Sequence, residues 1–205
     1  MISTVIYTIG HSNHEPDAFA DLLQHFGITC LVDVRSIAAS GRFPQFNKAA
    51  LSEFLKSKNI QYLHFGKEFG ARHTDPALLD ENGKVDFEKV RQTEDFKNGV
   101  DRLRAGLEKG FTIVLMCSEA EPFDCHRFSM ISGFLEKSGF EVKHILRDRT
   151  LKTNIQLETQ LLKKYHKQLP FAPSLEEQIM YAYRLRNKDV AFSPYNVGAS
   201  TEEEI

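Results

Sequence analysis

Two apolar runs of strand length, residues 4–9 and 28–34, flank one amphipathic stretch, residues 15–26. This arrangement constrains the fold more than any other feature of the chain. Within the stretch, Phe19, Leu22, Leu23 and Phe26 fall on one face of a helix, and Gly27 ends it. A strand, a helix of this length and a second strand form a βαβ unit. The two strands are then parallel and the crossover right-handed. Their C-terminal tips, Gly10-His11-Ser12 and Arg35-Ser36, therefore face the same edge of a sheet.

The pattern continues down the chain. Asn47 is placed to cap a helix over 48–58, with Leu51, Phe54 and Leu55 inward. Residues 61–65 read as a short strand, 66–86 as an irregular polar excursion, 87–109 as largely helical and 112–116 as a buried strand. Phe128, Ile131, Phe134 and Leu135 predict a helix over 128–138 that Gly139 stops, and 140–146 reads as a further strand. After that the character changes. Residues 154–167 form an amphipathic helix, Pro170-Phe171-Ala172-Pro173 breaks the chain, and Ser174 with Glu177 resembles a capping box before a helix over 175–187. Residues 198–205 are an acidic tail. The expected architecture is α/β: a three-layer sandwich with a mostly parallel sheet over 1–150. A helical extension over 151–205 then packs on that domain or on a partner.

A length of 205 residues with 41% hydrophobic residues suits one domain with a sizeable core. The net charge of -2 argues against a globally basic nucleic-acid binder but leaves room for a local patch. Cys30, Cys117 and Cys125 make no paired framework, which fits a reducing cytoplasmic compartment. No apolar run approaches membrane-spanning length, and the first residues lack the basic start of a signal peptide. A glycine-rich dinucleotide fingerprint, a P-loop and a nucleophile elbow are all missing. That sets aside the common nicotinamide, ATP-binding and α/β-hydrolase readings.

The chemistry concentrates just after the strand at 112–116. Cys117, Ser118, Glu119, Glu121, Asp124, Cys125, His126 and Arg127 follow within a few residues, between a strand tip and a helix start. Ligands bind at such edges in open α/β sheets, and free helix N–H groups favour anions.

Taken together, Gly10-His11-Ser12, Asp33-Val34-Arg35, the Pro44-Gln45-Phe46-Asn47 stretch and the run from Cys117 to Arg127 resemble the DUF488 family, a group with no known function. The resemblance covers roughly the first three quarters of the chain. It implies a fold and a site, but no reaction.

On chemical grounds Glu119 is the general acid/base candidate, kept ionised by Arg35 and Arg127 if the strand tips converge. His11 is a candidate for proton transfer, with a turn-stabilising role as the alternative. Cys125 is open to three readings: a low-pKa nucleophile assisted by His126, a metal ligand, or a residue packing inward. The metal reading takes zinc or iron with Cys117, Cys125, His126 and His11. Their spacing is not a standard zinc pattern, and Cys125 and His126, adjacent on a helix, would point apart. Ser12, Arg35, Ser36 and Arg127 are the anion-binding candidates. Arg42 and Arg72, interleaved with Phe43, Phe46 and Phe69, could frame the pocket as a stacking platform for a base and its phosphate.

The expected partner is a small anionic ligand or nucleic acid. The expected activity is hydrolysis or group transfer on a phosphate-bearing substrate. A non-catalytic binding module and a metal-dependent enzyme are the alternatives.

Overall fold

The structure is a computed structural model and describes residues 4–169 and 174–196. Six strands form one sheet in the order β3-β2-β4-β1-β5-β6. β1 (Val5–Gly10), β2 (Cys30–Asp33), β3 (Gln61–His64), β4 (Ile113–Cys117) and β5 (Glu141–Ile145) are parallel. β6 (Leu151–Thr153) adds antiparallel to β5, so the sheet runs past residue 150.

Alternation along the strands sends side chains to two different layers. Leu31, Val114 and Met116 face α1 (Pro16–His25) and α2 (Lys48–Ser57), meeting Phe19, Leu23, Leu51 and Leu55. Cys30, Val32, Ile113, Leu115 and Cys117 face the opposite layer. That layer contains α3 (Gly66–Phe69), α4 (Phe87–Gln92), α5 (Glu94–Glu108) and α6 (Gly133–Lys137). Helices on both faces make the three-layer α/β sandwich. Each fully buried side chain such as Phe19, Phe69 or Phe96 contributes about 1.5–3 kcal/mol.

Several local expectations are refined. The helical stretch over 87–109 is two helices, because Thr93 takes an extended conformation and caps α5 by accepting from the Phe96 N–H. Asn47 occupies the N-cap position of α2, but its side chain accepts from the Ser40 N–H instead. The excursion over 66–86 is not merely polar: Phe69, Leu79 and Val85 plug the core. The helix expected over 128–138 begins as a π-helical turn, Arg127–Ser132, and only then becomes α6. Wide turns of this kind recur at functional sites.

The C-terminal helices are α7 (Asn154–Tyr165) and α8 (Leu175–Val190). Thr153 and Gln156 form a reciprocal capping box on α7, and Ser174 accepts from the Glu177 N–H at the start of α8. Both helices pack on Phe123 and Phe128, and Arg186 reaches the Phe123 carbonyl at 3.0 Å and Asp124 at 2.6 Å. The Pro170–Pro173 break and the acidic tail lie outside the described residues. Among the described residues, no helix is long and apolar enough to cross a membrane.

Candidate functional site

The chain leaves β1 across β4 to reach β2, and leaves β4 across β1 to reach β5. Strand order therefore reverses between β1 and β4, and a crevice opens beyond their C-terminal ends. A cavity of about 350 Å³ opens at this edge of the sheet. Arg35, Ser36, Arg72, Cys117, Ser118, Glu119 and His126 line it, with Val190 and Phe192 from the C-terminal region.

Gly10 shapes this edge. The His11 N–H donates to the Cys117 carbonyl at 2.8 Å and the Ser12 N–H to the Ser118 carbonyl at 2.9 Å, so β1 and β4 run together to their tips. The chain then folds back over Gly10 so closely that any Cβ there would overlap the Glu119 carbonyl. Arg127 holds the same loop from below. It is fully buried, and its guanidinium donates to the Glu119 carbonyl at 2.6 Å and the Ala120 carbonyl at 2.9 Å. Arg127 is therefore a clamp on the loop. It does not line the cavity, which removes it from the anion-binding role expected for it.

Four reactive groups converge beside the cavity, three of which line it. Cys117 Sγ lies 2.9 Å from Glu119 Oε2 and 3.5 Å from His126 Nδ1, and Cys125 Sγ lies 3.8 Å from the same nitrogen. One ligand atom from each of Cys117, Glu119, Cys125 and His126 falls within 4.8 Å of all the others. The expectation that Cys125 and His126 point apart fails because Cys125 is not helical. It takes an extended conformation at the end of the short turn Pro122–Asp124, and His126 is the first residue with helical angles. His126 Nε2 faces the Val34 carbonyl at 3.2 Å, which directs Nδ1 at the sulfurs.

Electrostatics divides the two thiols. Burial and then the neighbouring Cys125 push Cys117 well above the usual thiol range. Burial acts the same way on Cys125, but its neighbours Cys117, the Arg127 guanidinium and His126 reverse it and hold Cys125 well below that range. Cys125 is nevertheless 1% exposed and does not line the cavity, so no substrate can approach it as a nucleophile. Glu119 opens to the cavity, but crowding by burial and then by Cys125 raises its carboxyl above the usual value. This reverses the expectation that arginines keep Glu119 strongly ionised: Arg127 is turned to backbone carbonyls and Arg35 to Asp33.

Arg35 is largely committed within the protein. Nε and one terminal nitrogen bond Asp33 at 2.9 and 2.6 Å, and the latter also reaches the Phe46 carbonyl at 2.7 Å. The other terminal nitrogen donates to His11 Nε2 at 3.2 Å. Tyr62 completes the arrangement by donating to Asp33 at 2.8 Å. His11 Nδ1 donates to the Ser12 carbonyl at 2.9 Å, and its ring stacks on Phe46. Burial lowers its pKa to about 4, with Arg35 adding to the effect. A buried neutral imidazole with both nitrogens engaged is a support for Arg35. It lies outside the group of side chains that could hold a metal ion, where Glu119 takes the place expected for His11.

The remaining anion candidates separate. Arg72 is exposed, lines the cavity and rests over Phe192. Its backbone N–H donates to Ser36 Oγ at 2.8 Å, leaving that hydroxyl hydrogen free. Ser12 and Arg42 do not line the cavity, and Arg42 lies over Phe43 instead. Phe46 and Phe69 are buried, and of the three aromatics expected in the stacking platform Phe43 alone stays half-exposed, beneath Arg42. Nor do the helix-end amides serve an anion. The Arg127 N–H faces Cys125 Sγ, while those of Phe128 and Ser129 bond the Cys125 carbonyl. Tyr62, the Val34 carbonyl and Phe192 were not singled out from sequence. Nothing in their local pattern marks them.

A family model described as a domain of unknown function, DUF488, matches residues 15–135. The match begins after the Gly10-His11-Ser12 turn and takes in both Asp33–Ser36 and the Cys117–Arg127 run. No curated protein and no solved structure matches the chain.

Proposed function

The chain belongs to the DUF488 family, whose description assigns no chemistry, and from the site itself we propose that it is a hydrolase acting on a small phosphate-bearing anion of about nucleotide size. One observation carries the reading. A single cavity at the sheet's switch point is lined by Glu119, Cys117 and His126 together with Arg72 and Ser36. Its volume of about 350 Å³ falls in the range of small-ligand pockets.

The division of labour follows from the groups. Arg72 and Ser36 attract and orient the anion, and the uncommitted N–H of Arg35 adds a directional donor. Glu119 accepts a proton from water, and the water oxygen bonds to the electrophilic centre. The leaving group departs with a proton returned by Glu119. The Cys117 thiol, 2.9 Å from Oε2, fixes the carboxylate. Burial of Phe46 and Phe69 favours a small ligand over nucleic acid.

The test is to screen nucleoside phosphates and sugar phosphates for turnover with wild type, Glu119→Gln and Arg72→Ala. The reading expects Glu119→Gln to keep affinity and lose turnover, and Arg72→Ala to raise KM. Wild-type turnover in Glu119→Gln would overturn it.

A further inference from the structure

We infer that Cys117, Cys125 and His126 form a zinc site, with Glu119 closing the fourth position from the cavity side. The first argument is geometric. Zinc bonds of about 2.0–2.3 Å set ligand–ligand separations of roughly 3.3–3.8 Å around a tetrahedron. Cys117 Sγ to His126 Nδ1 is 3.5 Å and Cys125 Sγ to His126 Nδ1 is 3.8 Å. Cys117 Sγ to Glu119 Oε2, at 2.9 Å, is a short thiol–carboxylate contact, and loss of that proton to a metal relaxes it outward. All four ligand atoms lie within 4.8 Å of one another, so small side-chain rotations enclose an ion.

The second argument lies in what surrounds the ligands. His126 presents Nε2 to the Val34 carbonyl at 3.2 Å; the donated N–H leaves the Nδ1 lone pair aimed at both sulfurs. A ring nitrogen tied to a backbone carbonyl is the usual outer support of a metal-bound imidazole. The Arg127 N–H faces Cys125 Sγ at 3.4 Å, a backbone donor suited to a thiolate ligand. Charge agrees as well. Two thiolates and one carboxylate on a divalent cation leave one negative charge, and the adjacent buried Arg127 has no carboxylate partner among the described residues. Two thiolates with an imidazole select zinc over magnesium or calcium.

The placement also separates structural from reactive ligands. Cys117 and Cys125 are buried, while Glu119 faces the cavity. Three protein ligands with an exchangeable fourth position are the arrangement of a catalytic zinc. When Glu119 yields to water, its carboxylate stands beside that water and takes the proton, and the metal keeps the hydroxide. On metal entry the thiol protons leave to solvent; no redox partner is required.

The test needs no substrate. Full-length protein without a tag is purified in a reductant that does not chelate, and its metal content is measured. It is then stripped with a chelator and titrated with cobalt(II). The expected result is one zinc per chain, followed by one equivalent of cobalt with thiolate charge-transfer absorption and the visible bands of a tetrahedral centre. Glu119→Gln keeps the metal and shifts the visible bands, while Cys125→Ser and His126→Ala lose it. If those two variants do not fold, the wild-type cobalt spectrum decides alone. Cobalt bound without thiolate absorption, or not bound, overturns the inference. Turnover by metal-free protein would overturn the metal's part in the reaction and leave the catalytic pocket standing. A zinc-loaded protein inert toward every phosphate tested would do the reverse.

Discussion

The Cys117 thiol donates to Glu119 Oε2 across 2.9 Å, joining the buried tip of β4 to the carboxylate that faces the cavity. Two residues apart in sequence, they meet because the chain turns back immediately after the strand. Gly10 leaves room for that turn and Arg127 holds it down.

Gly10 is therefore expected to be intolerant of the smallest side chain. In Gly10→Ala the Cβ overlaps the Glu119 carbonyl and the loop must shift, at a cost of about 1–3 kcal/mol. Urea denaturation measures it. A variant as stable as wild type would show that the loop has room to move.

Arg127→Met keeps much of the buried volume and removes the two donors to the Glu119 and Ala120 carbonyls. The expected loss is about 1–3 kcal/mol, together with faster proteolysis in the loop around Glu119. Unchanged proteolysis would mean that Arg127 does not restrain this loop.

His144 supplies part of the pH dependence, alongside His11, whose pKa burial lowers to about 4. His144 is fully buried, its Nδ1 meets Thr8 Oγ1 at 2.8 Å, and burial lowers its pKa from 6.5 to about 3. A histidine with a depressed folded value binds its proton in the unfolded chain first. Its contribution is complete above pH 6.5 and is lost as pH falls towards about 3. Near pH 5.5 the expected loss is about 1.4 kcal/mol. Thermal melts from neutral to mildly acidic pH follow this, and His144→Gln is expected to flatten that part of the profile.

Much of the scaffold was legible from the chain. Alternating apolar runs and the helix between 15 and 26 dictate parallel strands, and parallel strands bring residues 10–12, 35–36 and 117–127 to one edge. The site was harder. Arginines near the sheet's edge read alike in sequence, yet Arg35 is committed to Asp33, Arg127 to backbone carbonyls, and Arg72 to neither. Those assignments depend on which side chain has a partner within reach in three dimensions. The convergence of Cys125 with His126 was hidden for a related reason. It needs the extended backbone of Cys125 and a π-helical turn after it, where spacing suggested an ordinary helix. The wall formed by Val190 and Phe192 comes from a segment far along the chain that carries no motif.

Arg42 and Arg72 separate the sequence expectation from the cavity. Arg72→Ala is expected to weaken binding of nucleoside phosphates about tenfold or more, because a charge-assisted contact is lost. Arg42→Ala is expected to leave affinity unchanged, since Arg42 does not line the cavity. Calorimetric titration of both variants checks the pair. Equal losses would favour a broad basic surface over a defined pocket.

The most direct measurement follows phosphate esters by phosphorus NMR during incubation with wild type and with Glu119→Gln. The account predicts that wild type cleaves at least one ester, and that the variant binds it with similar affinity but releases no product. Cleavage by the variant at the wild-type rate, or no cleavage by wild type of any ester it binds, would contradict it.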